Sequence, residues 1–165
     1  MTPDQRGSSD PIRALLELFY ESEAIYLQKI VYDAVGKTIT GQFIVPSGTT
    51  YSRVAVDYVT AEQYMRCLSQ LSYVLVGFLV RDGVIGKGSM NFSRFQRFMT
   101  ASLLWLRRSK LHYHTHVGRE VPFELTLQVV ATRLLRGQFA TCTLSVGGAI
   151  IRGELEFVVR MRKDV

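Results

Sequence analysis

The stretch TAEQYMRCLSQLSYVLVGFLV, residues 60–80, decides the fold. Thr60 followed by Gln63 is a capping-box pattern, in which each side chain takes up a free amide of the other residue. Beyond it Tyr64, Met65, Leu68, Leu71, Leu75 and Phe78 recur at steps of three and four, the period of a helix. Charges are so sparse that the segment is apolar on most sides, and a helix apolar nearly all round is buried nearly all round. In a chain of 165 residues, the right size for one core, this requires a sheet that wraps the helix.

The flanks supply that sheet. Upstream, Asp10-Pro11 is a helix start, because Asp caps and Pro suits the first helical position. Leu15, Leu16, Leu18 and Phe19 give that helix an apolar face through about Tyr20. AIYLQKIVYDAV (24–35) and KTITGQFIV (37–45) are rich in β-branched and aromatic residues, and Gly36 joins them as a hairpin. Pro46, Ser47 and Gly48 break the second strand, and residues 49–57 read as extended again.

Downstream, Arg81-Asp82-Gly83 ends the helix. The glycine-rich loop that follows has G-x-G but lacks the preceding strand of a nucleotide-binding unit. Residues 91–100 read as a short helix with Phe92, Phe95 and Phe98 on one side and Arg94 and Arg97 off it. Four strands then follow, at 103–116, 123–135, 138–146 and 149–162, with turns at Gly137 and Gly147-Gly148. The predicted class is α+β, with one antiparallel sheet curled about one long central helix. Residues 1–10 are polar and expected to be disordered, and residues 11–165 to form one domain.

The net charge of +6 favours acidic partners. Nucleic acid is not expected, because the aromatics look buried rather than interleaved with charge on a surface. No membrane span is expected, because the longest apolar run, LSYVLVGFLV, is about half of the ~20 residues a span needs. No basic-then-apolar leader is visible, so a cytoplasmic protein is expected. Cys67 and Cys142 lie far apart and read as free buried thiols.

A sheet around a long helix resembles the hot-dog arrangement. The segment around Cys67, Gln70 and Tyr73 also resembles the central helix of the FcoT-like thioesterase family. The likeness reaches back to LLELFYESE, where Tyr20 matches a family tyrosine. It takes in Tyr51, close to a second one, and extends forward over the last strands from Leu125. This resemblance implies an enzyme acting on a fatty or polyketide acyl thioester, carried by coenzyme A or an acyl carrier protein. It implies either addition of glycine to an α,β-unsaturated acyl group or plain thioester hydrolysis. It also implies a homodimer, with Tyr20 of one subunit near the helix of the other. Where the family thioesterase has two asparagines, this chain has Thr60 and Ser69, hydroxyls in place of amides.

Both reactions build negative charge on the thioester oxygen, and fixed donors stabilise it. The helix start offers unpaired amides and a positive dipole end. Thr60, Ala61, Glu62 and Gln63 sit there, so the carbonyl is expected to point at that end. By position Glu62 and Asp57 resemble general bases, and Glu62 is equally a routine dipole match in a first turn. The catalytic candidates are Glu62, Thr60 and Tyr51. The substrate-binding candidates are Tyr20, Ser69, Ala61, Gln63, Asp57 and His112. Ser69 lies nine positions after Thr60, so the two do not stack on one face.

His112, His114 and His116 alternate along one strand; a solvated edge or a substrate-carboxylate contact is the favoured reading over a metal site, and no metal or cofactor is expected. Arg94, Arg97, Arg107 and Arg108, with Lys110, are the candidates for docking a carrier. A non-catalytic protein that shields an acyl chain on its carrier is the remaining alternative.

Overall fold

The computed structural model describes residues 11–48, 56–85, 104–135 and 139–160. Tyr51, Arg94, Arg97 and the helix expected at 91–100 lie outside the described residues. The elements run in the order α1 (Pro11–Leu16), a single 3-10 turn (Ser22–Ala24), β1 (Leu27–Asp33), β2 (Thr38–Phe43), α2 (Ala61–Arg81), β3 (Leu104–Tyr113), β4 (Phe123–Leu135), β5 (Phe139–Gly147) and β6 (Ile151–Arg160). The strands form one sheet in the order β1-β2-β4-β5-β6-β3, with every neighbouring pair antiparallel. Consecutive strands pair as hairpins, except that β3 crosses over to the far side of β6 and becomes an edge.

The sheet curls about α2. Leu68, Leu71, Leu75 and Leu79, at helical spacing, are fully buried, as are Ile39, Phe43, Leu125, Leu127 and Ile151 from the strands. The capping box forms as the sequence predicts: Thr60 Oγ1 accepts from Gln63 N at 3.4 Å, and Gln63 Oε1 accepts from Thr60 N at 2.9 Å. Among the described residues no helix is long and apolar enough to cross a membrane.

Three boundaries differ from the sequence reading by three residues or more, each for a tertiary reason. The first helix ends at Leu16 rather than near Tyr20, because the chain turns so that Phe19 stacks on Tyr73 of α2, with ring centres 4.4 Å apart. The first strand begins at Leu27 rather than Ala24. Buried Gln70 of α2 claims the preceding backbone: its Oε1 accepts from Tyr26 N (3.0 Å) and Leu27 N (3.2 Å), and its Nε2 donates to Ala24 O (2.6 Å). The third strand ends at Tyr113, so the histidine alternation does not continue along it. His114 N donates to Ile150 O, and His116 packs against Tyr58.

At the far end of α2 the helix is clamped to β1. Tyr32 stacks on Phe78 at 4.3 Å, Arg81 lies 4.6 Å from the centre of the Phe78 ring, and Asp82 accepts from both Arg81 Nε and Tyr32 Oη at 2.8 Å. The Arg81 bond, supported by Tyr32, holds the Asp82 carboxyl below its ordinary value of 3.8. A depressed carboxylate stabilises the fold above its unfolded pKa, and this contribution is lost as pH falls through the folded value. Asp82→Asn is therefore expected to flatten the acid limb of the stability–pH curve below about pH 4, as followed by urea denaturation across pH.

Gly153 holds the β6–β3 pairing together. Its φ of +152° is one that L side chains rarely adopt, and a Cβ there would overlap the Lys110 carbonyl oxygen of β3. Gly153→Ala is expected to lose roughly 2–4 kcal/mol of stability, read as a lower urea midpoint.

Candidate active site

α2 is not covered all round. Glu62, Arg66, Ser69 and Tyr73 follow one another at steps of four, three and four, and all four are only partly buried or exposed. Steps of this size place side chains above one another on one helix face. Beside this stripe lies a cleft of about 220 Å³ between α2 and the edge of the sheet. Met65, Leu68, Ser69 and Tyr73 line it from the helix, Leu104 and Leu106 from β3, and Phe157 from β6. Apart from Ser69 and the Tyr73 hydroxyl its walls are apolar. Leu106 remains 39% exposed, so the cleft opens to solvent beside the free edge of β3.

The polar feature beside this cleft is a pair of hydroxyls. Tyr20 Oη donates to Ser69 Oγ at 2.8 Å. That bond satisfies an acceptor position on Ser69 and leaves the serine's own hydrogen to be donated. The Tyr20 ring sits edge-on to Tyr73 at 6.2 Å. Burial raises the pKa of both phenols, for Tyr20 against the opposing effect of the Ser69 bond, so both are neutral donors at pH 7. Gln70, the next residue along, fixes the Ala24–Leu27 segment, and the chain running back from it brings Tyr20 to Ser69. Tyr20 thus bonds the helix of its own chain.

The start of α2 is arranged differently. Thr60 and Gln63 spend their side chains on each other. Arg119 reinforces them, donating from Nη2 to Gln63 Oε1 at 3.5 Å, from Nε to Val56 O at 2.7 Å and from Nη1 to Pro46 O at 3.1 Å. Ala61 is exposed, and exposed Asp57 accepts from Arg119 N through its backbone carbonyl. Glu62 pairs with Arg66 at 3.0 Å. Among the described residues this cleft opens further along the helix, beside Ser69.

His112 alternates with Leu111 and Tyr113, and Tyr113 pairs with fully buried Ile151; His112 therefore points away from α2, on a solvated edge strand. Arg107 and Arg108 lie on the same strand, exposed and paired with Glu156 at 3.0 Å and Glu154 at 3.8 Å. Cys67 is fully buried, and burial pushes its thiol far up, so it offers no thiolate; Cys142 is pushed up to about 12 for the same reason.

Sequence reasoning gave no site role to Arg66, Met65, Tyr73, Leu104, Leu106 or Phe157. The helical step from Ser69 to Tyr73 was the available signal for Tyr73, and a lone arginine within an apolar helix was the signal for Arg66.

Neither a protein-family model nor a curated protein sequence matches the chain. Solved structures do. A mutant thioesterase from Pseudomonas aeruginosa aligns over 95% of this chain and 98% of its own, at 11% identity and a TM-score of 0.54. A putative thioesterase from Lactococcus lactis aligns over 88% of this chain and 100% of its own, at 6% identity and a TM-score of 0.52. The dehydratase heterocomplex ApeI:P from Xenorhabdus doucetiae aligns over 88% of each chain, at 8% identity and a TM-score of 0.51. Identities this low speak to fold alone. Together with the six-stranded antiparallel sheet around α2, they establish that this chain has the hot-dog fold.

Proposed function

We propose that the chain is an enzyme acting on an acyl thioester, with the acyl group in the cleft between α2 and β3 and the thioester oxygen at Ser69. The Tyr20–Ser69 hydroxyl pair beside an apolar cleft carries this reading. Thioester oxygens gain charge in hydrolysis and in conjugate addition alike, and neutral donors fixed before reaction stabilise that charge. Further support comes from the structural neighbours named as thioesterases and as a dehydratase.

The finer reading, drawn from the FcoT-like resemblance, is addition of glycine to an α,β-unsaturated acyl thioester. The glycine nitrogen forms a bond to the β-carbon. The C=C electron pair moves through the α-carbon onto the thioester oxygen. The ammonium proton passes to a base, and the α-carbon gains a proton, so N–H adds across the double bond. Glu62 and Asp57 are the bases proposed for this step. Thr60, Ala61 and Gln63 remain proposed as site residues at the helix start, where the pantetheine arm would pass, and Tyr51 remains a proposed catalytic residue by the resemblance.

The carrier, coenzyme A or a carrier protein, would meet Arg107 and Arg108 on the edge strand that bounds the cleft. Among the described residues that strand pairs on one side only, with β6, which supports a homodimer joined at β3. Sedimentation is then expected to give twice the chain mass of 18.7 kDa.

The test is incubation with a medium-chain enoyl thioester on coenzyme A or carrier protein, with and without glycine, followed by product masses. A glycine-dependent mass gain supports addition, and free acid without glycine supports hydrolysis. No turnover with either would overturn the enzyme reading in favour of an acyl-carrier-binding protein.

A further inference from the structure

Arg66 sits on the open stripe of α2, one helical turn before Ser69. Its guanidinium lies 5.5 Å from the centre of the Tyr26 ring, and Nη1 donates to Tyr26 Oη at 3.1 Å. Nη2 donates to Glu62 Oε1 at 3.0 Å. The two ends of this ion pair differ in burial: the Arg66 side chain is 23% exposed and that of Glu62 57%. The guanidinium is therefore fixed by packing on a buried tyrosine, whereas its carboxylate partner is a solvated side chain free to swing away. Exposed ion pairs of this kind hold weakly. A guanidinium presents a planar fork of donors matched to a carboxylate. Residues three apart on a helix stand about 5–6 Å from each other at Cβ, so a carboxylate on Arg66 and a carbonyl at Ser69 would lie side by side.

We infer that Arg66 is the carboxylate anchor of this site, taking a ligand carboxylate in place of Glu62. The inference rests on the thioester reading above and adds the chemical class of what binds there. The carboxylate has two possible sources: an amino-acid amine that attacks the acyl group, or an acyl chain that itself ends in a carboxylate. In either case the incoming group releases Glu62, which becomes a free base one turn from the guanidinium.

The experiment is calorimetric titration of the full chain with nonhydrolysable amide analogues of butyryl-, succinyl- and crotonyl-pantetheine, the last titrated with glycine or with methylamine present. A carboxyacyl ligand predicts that the succinyl analogue binds at least about tenfold tighter than the butyryl one. An amino-acid ligand predicts that glycine binds to the crotonyl complex and methylamine does not. In the arm that shows the preference, Arg66→Gln abolishes it while leaving butyryl affinity within about threefold, and Arg66→Lys keeps part of it. Glu62→Gln, which removes the competing carboxylate, tightens the carboxylate-bearing ligand by roughly three- to tenfold and keeps the question answerable should Arg66→Gln fail to fold.

Equal binding of butyryl and succinyl analogues, with glycine and methylamine alike, overturns the inference and leaves the thioester reading standing. Equal weakening of every analogue by Arg66→Gln does the same. Failure of every analogue to bind overturns the thioester reading and the inference with it.

Discussion

Ser69→Ala is expected to lower kcat/KM for the thioester reaction about 100-fold, the usual loss when one donor to a developing oxyanion is removed. Tyr20→Phe is expected to fall by a smaller factor, because Tyr20 acts on the thioester oxygen through the serine hydroxyl. The double variant should lose little more than Ser69→Ala alone, since groups sharing one hydrogen bond do not act independently. Neither change removes a core side chain, and a single part-buried hydroxyl bond contributes about 1 kcal/mol. Unfolding curves near those of the parent chain, alongside the kinetic loss, would separate a catalytic effect from a structural one. A Ser69→Ala enzyme with unchanged kcat/KM would remove the hydroxyl pair from the mechanism.

Gln70→Leu is expected to have the largest effect on stability, a loss of roughly 3–5 kcal/mol. The leucine fills similar space but leaves Tyr26 N and Leu27 N buried, and Ala24 O part-buried, without the amide that now satisfies them, and each unpaired buried group costs about 1–3 kcal/mol. Urea denaturation should show the midpoint falling with little change in slope. The lesion should also reach the site. Gln70 holds the start of β1 against α2, and the segment ending there carries Tyr20 to Ser69. Activity per folded molecule is therefore expected to fall along with stability.

The long helix was the most legible part of the chain. Thr60 and Gln63 announce its start by a pattern whose chemistry is local, and its leucines repeat at a period that only a helix satisfies. The strands were legible for the same reason: alternation and glycine turns depend on near neighbours. What sequence could not give was the reach of Gln70, whose amide acts on backbone more than forty positions away and moves a strand boundary. The same holds for Tyr20. The family resemblance marks it as a candidate, but its bond to Ser69 depends on a turn after Leu16 that no local preference dictates. The proposed site was legible as a list rather than as a place. Ser69 and Tyr20 can be named from the sequence, whereas the free amides and dipole of the helix start are generic to every such terminus. Among the described residues the capping box and Arg119 bond to part of that end, and the cleft lined by Ser69 lies two turns along, where a half-exposed stripe meets an edge strand. Arg66 and Tyr73 belong to that stripe by spacing alone, and their significance emerges only once the sheet leaves that side of the helix uncovered.

The most direct test is a crystal structure with a nonhydrolysable acyl-pantetheine amide bound. The acyl chain should lie between α2 and β3 against Leu68, Leu104 and Phe157, with its carbonyl oxygen within hydrogen-bonding distance of Ser69 Oγ. An acyl chain seated anywhere else, with the Tyr20–Ser69 pair untouched, would contradict the account.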